Sequence, residues 1–401
     1  MWIETNIAFK FLRQGMTQTL LILIGVAIGV CVIVFITTLV NGLQENLIER
    51  TLGTQAHIRI ESEPLVNRIA PPSQANEARL IQEDIRAQKL RSIDNWQQVI
   101  QALETLPGIT AVSPVVSGPG FARRADAVKA ISLIGVMPER YLRIIKVDQS
   151  MIAGQFEINP GDAVIGTKLA QDLGVRVGSK MRIETSQDLS AIVTITGIFD
   201  LGVRELDSRF VYMDMKQVQT LLNLPGAATV IDLSIHELLA ATDMAHDIIR
   251  LTGLQAESWM EMNSQLMNAL QSQDLSSRLI SFFVAISVAF GIASVLAISV
   301  TQRTREIGIL RAMGIHRQQI LWVFLLQGAL VGLIGSAIGA MAGWSLVWAF
   351  NHFGPKFFDI EPSLTIIPFA TVLATLTGML AAIAPAWRAS RLDPVKAIRY
   401  V

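Results

Sequence analysis

The sequence predicts an α-helical membrane protein with four transmembrane helices plus a large α+β extracytoplasmic domain between the first and second. Three observations carry that prediction. Residues 19–40, 279–300, 321–350 and 366–385 are apolar segments, each reaching the roughly 20 residues that cross a bilayer core. The first two are separated by a long, mostly polar stretch, 41–278, whereas the last three crowd into the C-terminal third. Hydrophobic residues make up 51% of the chain and charged residues only 16%, too few charges for an ordinary soluble surface. The net charge is zero, so no global field attracts nucleic acid.

The distribution of charge sets the orientation. Lys10 and Arg13 precede the first span, Arg303, Arg305, Arg311 and Arg317 crowd the connector 301–320, and Arg388, Arg391, Lys396 and Arg399 follow the last span. The 351–365 loop has only Lys356 against Asp359 and Glu361. By the positive-inside rule both termini and the 301–320 connector are cytoplasmic, while 41–278 and 351–365 face outside. The chain is therefore expected to cross the membrane several times, with both termini cytoplasmic and the large domain outside.

In order along the chain, residues 1–18 pattern as an interfacial amphipathic helix, with Ile3, Ile7 and Phe11 on one side and Asn6, Lys10, Arg13 and Thr17 on the other. Residues 19–40 read as a retained signal-anchor, because no A-x-A-like cleavage site follows at Val40-Asn41-Gly42-Leu43. Cys31, the sole cysteine, lies within this span, so no intramolecular disulfide is available. Leu39, Leu43 and Leu47 continue a helical stripe beyond the span, and Trp259, Met262, Leu266 and Leu270 form a similar one before the second span. They predict either an antiparallel stalk or two ordinary domain helices.

Between them, β-branched runs at 56–61, 110–116, 130–136, 180–185, 191–199, 209–213 and 230–234 predict strands. Helices are expected at 96–106, 167–173, 215–222 and 240–251. Residues 64–95 are polar with a Pro71-Pro72 pair and read as a mobile insertion. The remaining elements are spans 279–300, 321–350 and 366–385, with the connectors 301–320 and 351–365 and the tail 386–401.

Enzyme chemistry finds no footing. Gly161 to Lys168 approaches a phosphate-binding loop, but Thr167-Lys168 reverses the Lys-Ser/Thr order that reaches the phosphates. His57, His236, His246, His316 and His352 include no i, i+4 pair, and no metal site is expected. There is no G-x-S-x-G or H-E-x-x-H motif. No Asp, Glu, Lys or Arg interrupts the four spans, which argues against a proton-coupled pump. Small residues are plentiful instead. Gly25 and Gly29 form a G-x-x-x-G, and the third span carries Gly328 and Gly332 on one stripe and Gly335, Gly339 and Gly343 on another. Such stripes bring helix backbones together, within one subunit or between two.

The sharpest local signal is the cytoplasmic run from Thr301 to Arg317. Ile307, Leu310 and Met313 or Gly314 make an apolar stripe among arginines, and Gly314 suits a helix stop. Such a stripe wants a partner.

This run contains Arg305-Glu-Ile-Gly-Ile-Leu-Arg-Ala-Met-Gly314, and the tail reads Pro385-Ala-Trp-Arg-Ala-Ser-Arg-Leu-Asp-Pro-Val-Lys-Ala-Ile-Arg399. Together they resemble the signature ends of the MacB/FtsX/LolC–LolE permeases, and the likeness covers nearly the whole chain. It implies that Arg305, Glu306, Ile307, Leu310, Arg311 and Gly314 form a coupling helix touching an ABC ATPase. No cofactor would be bound by this chain; ATP and Mg would sit on the partner ATPase, present in two copies. Asn41-Gly42-Leu43, the 107–114 and 134–138 segments and the 164–174 segment look most like the lipoprotein-releasing permeases. The 186–190 connector is short and lacks the proline-bearing hook of the chaperone-recruiting subunit, a departure from that group.

The resemblance implies a mechanotransmitting permease that works with a second permease copy or paralogue and with a periplasmic lipoprotein, chaperone or adaptor protein. Membrane lipids are further partners. Leu39, Leu43, Trp259, Met262 and Leu266 are the candidate lipid contacts at the membrane exit. The alternatives are a MacB-like tripartite efflux permease and an FtsX-like signalling scaffold controlling a cell-wall hydrolase.

Overall fold

The computed structural model describes residues 2–63, 90–354, 360 and 366–392. The 64–95 insertion and the 386–401 tail therefore lie largely outside the described residues. The chain divides into two units, one comprising Met1–Ile48 with Asn268–Val401 and the other Glu49–Met267.

The first unit is helical. It contains α1 (Trp2–Gln14), most of α2 (Met16–Thr54) and of α10 (Ser264–Gln302), the short α11 (Thr304–Ala312), α12 (Arg317–Phe353) and α13 (Ile366–Ser390). Among the described residues, α2, α10, α12 and α13 are long and apolar enough to cross a membrane. The 39 residues of α2 and of α10 rise roughly 58 Å, about twice a hydrocarbon core. Both helices therefore continue past the spans read from hydropathy. Beyond those spans they touch: Gln44 Nε2 donates to the Leu270 carbonyl at 3.4 Å, and Leu270 is buried.

Glycine decides how close these helices come. A Cβ at Gly328 would stand 2.5 Å from the Gly378 carbonyl oxygen, and one at Gly332 2.8 Å from that of Ala374, so this stripe is α12 against α13. A Cβ at Gly335 would stand 2.7 Å from Val26, and one at Gly339 2.5 Å from the Ala27 carbonyl, so the other stripe is α12 against α2. Both α12 stripes are thus filled from within the chain. A Cβ at Gly29 would stand 2.5 Å from Val288 of α10, but nothing lies within 4 Å of a Cβ on Gly25, which opens instead onto an apolar groove between α2 and α10. Gly42 accepts Ile360: the Ile360 amide and carbonyl are clamped by the Asn351 side chain at 3.1 and 2.8 Å, and its side chain rests on Gly42.

The second unit is a mixed ten-stranded sheet with helices. Its strands are β1 (Ile58–Glu61), β2 (Ile109–Arg124), β3 (Ala127–Val136), β4 (Met151–Gly154), β5 (Asp162–Gly166), β6 (Lys180–Glu184), β7 (Ser190–Phe199), β8 (Phe210–Asp214), β9 (Val230–Ile235) and β10 (Gln255–Ser258). The path is β10-β1-β9-β2-β3-β8-β5-β7-β4, with β6 bridging β2 and β7. Around it lie α3 (Trp96–Glu104), α4 (Pro138–Tyr141), α5 (Thr167–Leu173), α6 (Arg204–Arg209), α7 (Met215–Leu221), α8 (Ala241–Thr252) and α9 (Trp259–Met262).

The predicted strands are present, with three more at β4, β5 and β10. β2 is longer than hydropathy suggests, because Ser117-Gly118-Pro119-Gly120 reads as a break yet stays in the ladder. Pro119 pairs with Ser132 of β3, and at that point β2 carries no second ladder, so the missing N–H costs nothing. Gly118 leaves room for Leu222, 2.7 Å from where a Cβ would stand.

Asp232 is the buried charge of this sheet, 1% exposed and paired with Arg59 Nε at 3.2 Å. Burial raises its carboxyl above the usual range, and Arg59 partly opposes that shift. Nearby, Tyr141 and Tyr212 share a hydrogen bond at 3.4 Å, and burial pushes both phenols up.

Candidate coupling surface

α10 ends at Gln302, and the chain turns at Arg303 into the nine residues of α11. Gly314, at φ +101°, then stops the helix. Ile315 N donates to the Leu310 carbonyl at 3.2 Å and Gly314 N to that of Arg311 at 3.1 Å, the bond pair of a Schellman stop. α12 begins at once, with Gln319 Oε1 accepting from the His316 amide at 2.9 Å.

The two faces of α11 differ. Ile307 is fully buried, and Leu310 and Ile315 pack against the same bundle core, which holds Phe11, Phe324 and Ala386. Of the stripe read from the sequence, Ile307 and Leu310 therefore have their partner within the chain, whereas Met313 and Gly314 do not face it. Arg305, Glu306 and Gly314 are exposed, together with Ile309 at 43% and Met313 at 77%. The open surface of α11 and its C-terminal cap thus includes Arg305, Glu306, Ile309 and Met313, and Ile309 was not singled out by the periodicity. The signal that could have found it was Ile307 and Ile309 lying two apart, which places them on different faces of a helix.

Polar links tie α11 to its neighbours. Arg303 Nη2 donates to the Phe11 carbonyl at 2.7 Å, and its guanidinium lies 4.5 Å from the centre of the Phe11 ring. Gln18 Nε2 donates to Gln302 Oε1 at 2.7 Å, and Gln319 Nε2 to Glu4 Oε1 at 3.3 Å. Arg311 Nη1 donates to the Leu392 carbonyl beyond α13. α1 is therefore bonded at both ends of the α11 segment. Phe11 also meets Phe324 of α12 with ring centres 6.3 Å apart. Sequence reasoning treated Arg303 as orientation charge alone.

The other candidates fall in different surroundings. Leu39, Leu43, Met262 and Leu266 are half-buried. Trp259 is 1% exposed, with its Nε1 donating to the Leu238 carbonyl at 3.0 Å, so it is a core residue of the sheet unit and offers no lipid-facing surface. The loop resembling a phosphate site is occupied internally: Gly161 N donates to Gln217 Oε1, Thr167 Oγ1 to the Phe199 carbonyl, and Lys168 pairs with Asp172.

The profile of the MacB-like periplasmic core domain matches residues 19–244, and that of the FtsX-like permease C-terminal region matches 278–394. The chain belongs to the FtsX/MacB-like family of ABC-transporter permeases. The lipoprotein-releasing system transmembrane protein LolC of Xylella fastidiosa is 24% identical, over 94% of this chain and 92% of that one. LolC of Neisseria meningitidis is 23% identical, over 99% of each. The macrolide export ATP-binding/permease protein MacB of Acinetobacter baylyi is 26% identical, over 95% of this permease but only 57% of its own length. Among solved structures, the periplasmic region of MacB from Actinobacillus actinomycetemcomitans aligns with 55% of this permease and 96% of that chain, at 12% identity and a TM-score of 0.35.

Proposed function

We propose that this permease is the membrane subunit of a lipoprotein-releasing ABC transporter acting by mechanotransmission. The observation that carries the reading is α11: an exposed patch of Ile309, Met313, Arg305 and Glu306 on a helix anchored to α1, α12 and the end of α13. Two ATPase subunits, holding the ATP and Mg, dock on this patch in two permease chains, this one and a second copy or a paralogue. Both termini are cytoplasmic and the sheet unit is periplasmic. Closure of the ATPases on ATP displaces α11. The Arg303 and Gln319 links pass the displacement to α1, the Gln302 link passes it to α2, Arg311 passes it to the end of α13, and α2 and α10 carry it out of the membrane.

Cargo is handled outside rather than threaded through a polar pore, in keeping with spans that lack ionisable residues. An acylated lipoprotein suits that arrangement, because extraction costs about 0.8 kcal/mol per buried methylene and so needs ATP. Leu39, Leu43, Met262 and Leu266 are the acyl contacts in this reading. The LolC relatives, aligned over 92% or more of both chains, support lipoprotein release. The likeness to MacB favours a second reading, export with a periplasmic adaptor.

Crosslinking in the native membrane, purification of the tagged chain and mass spectrometry separate them. An ABC ATPase with trapped lipoproteins is expected. An ATPase with an adaptor instead moves the assignment to export, and the absence of any ATPase overturns both.

A further inference from the structure

The membrane unit has a second groove, lined by residues of α1, α2 and α12. α1, the first turns of α2 and the middle of α12 enclose about 500 Å³, within the range of small-molecule sites. Leu12, Met16, Leu20, Leu330 and Ile334 line it, with Arg13 beside them. Of its two polar lining residues, Thr19 is engaged with the Leu12 carbonyl at 3.0 Å, which leaves the guanidinium of Arg13 as the polar group offered to a ligand.

We propose that this groove binds one acyl chain of an anionic glycerophospholipid, with the lipid phosphate on Arg13. Three features argue for that occupant. The walls belong to helices whose solvent is hydrocarbon, so an open apolar groove there takes up an acyl chain rather than water. Arg13 lies in the last turn of α1, just before the Gly15 break and six residues ahead of the apolar run, which puts its charge at headgroup level and its neighbours below. Lys10, also exposed and one turn back on α1, adds a second cation at that level and favours an anionic headgroup over a zwitterionic one. The proposal does not depend on the identity of the transported cargo.

The test is native mass spectrometry of the full chain, released into detergent from nanodiscs of mixed phosphatidylcholine and phosphatidylglycerol. Wild type is expected to retain one phosphatidylglycerol in preference to phosphatidylcholine. Arg13→Gln should lower phosphatidylglycerol retention about fivefold, the worth of one cation at a lipid surface, while Arg13→Lys preserves it. Leu20→Trp, at a position already 59% exposed, fills the groove and should reduce retention of both lipids. Leu376→Trp, on the exposed face of α13, should leave retention unchanged. Equal retention of the two lipids by wild type, or undiminished retention in Leu20→Trp, overturns the site.

Discussion

Asp207 shows how much a single side chain can set the pH response of the sheet unit. The residue is 5% exposed, and its carboxyl accepts from the Leu201 amide at 2.9 Å. Burial, reinforced by the nearby Asp200, lifts its pKa from 3.8 to about 6. Below pH 3.8 the group is protonated in folded and unfolded chains alike. Between 3.8 and about 6 the folded chain keeps the proton and the unfolded chain loses it, so stability falls as pH rises through that window and is level above it. Asp207→Asn, which retains the acceptor for Leu201, should abolish that slope and stabilise the region at pH 7 by roughly 1–2 kcal/mol. Amide hydrogen exchange around residues 200–214 in the full chain reads it. Glycines give a second residue-scale contrast. Gly328→Ala places a methyl against the Gly378 carbonyl, a rigid neighbour, and should destabilise by about 1–3 kcal/mol. Gly25→Ala meets nothing and should leave thermal unfolding in detergent unchanged.

At the scale of elements, α11 has a local and a tertiary part: its bounds follow from its own residues, its open face from its neighbours. Periodicity located the helix and its Gly314 stop, because both follow from local chain chemistry. It could not say which face is open, since that depends on α1, α12 and α13 folding back onto Ile307 and Leu310. In the same way α5 was legible at its observed bounds, Thr167–Leu173, whereas β10 was not: four residues with no apolar run pair with β1 only once the distant chain returns. Consequences follow for mutation. Ile309→Asp, Met313→Asp and Glu306→Arg should each abolish co-purification of the ATPase while the permease accumulates normally. Ile307→Asp buries an unpaired carboxylate and should lower the level of the permease itself. Arg303→Ala removes the link to Phe11 without touching the open patch. Reconstituted complexes should then keep the ATPase bound but lose the coupling of hydrolysis to cargo release.

At the scale of the whole molecule, the fold class was readable because a bilayer demands long apolar helices and because their unequal spacing leaves room for one large domain. The extent of α2 and α10 was readable from side-chain periodicity rather than from hydropathy: the stripes Leu39, Leu43, Leu47 and Leu266, Leu270 continue the helices where hydropathy stops and charged residues begin. In the proposed mechanism those extensions are the route for motion out of the membrane. The double variant Leu43→Asp, Leu266→Asp should reduce lipoprotein release without loss of ATPase binding; unchanged release removes those positions from the acyl path. The central claim is that the open face of α11 is where a separate ATPase drives this permease. A photoactivatable crosslinker placed at Ile309, illuminated in the native membrane and followed by mass spectrometry of the adduct, tests it most directly. An adduct with an ABC ATPase is expected, lost when Met313 is changed to Asp. An efficient crosslink to lipid or to another protein, with no ATPase adduct, would contradict it.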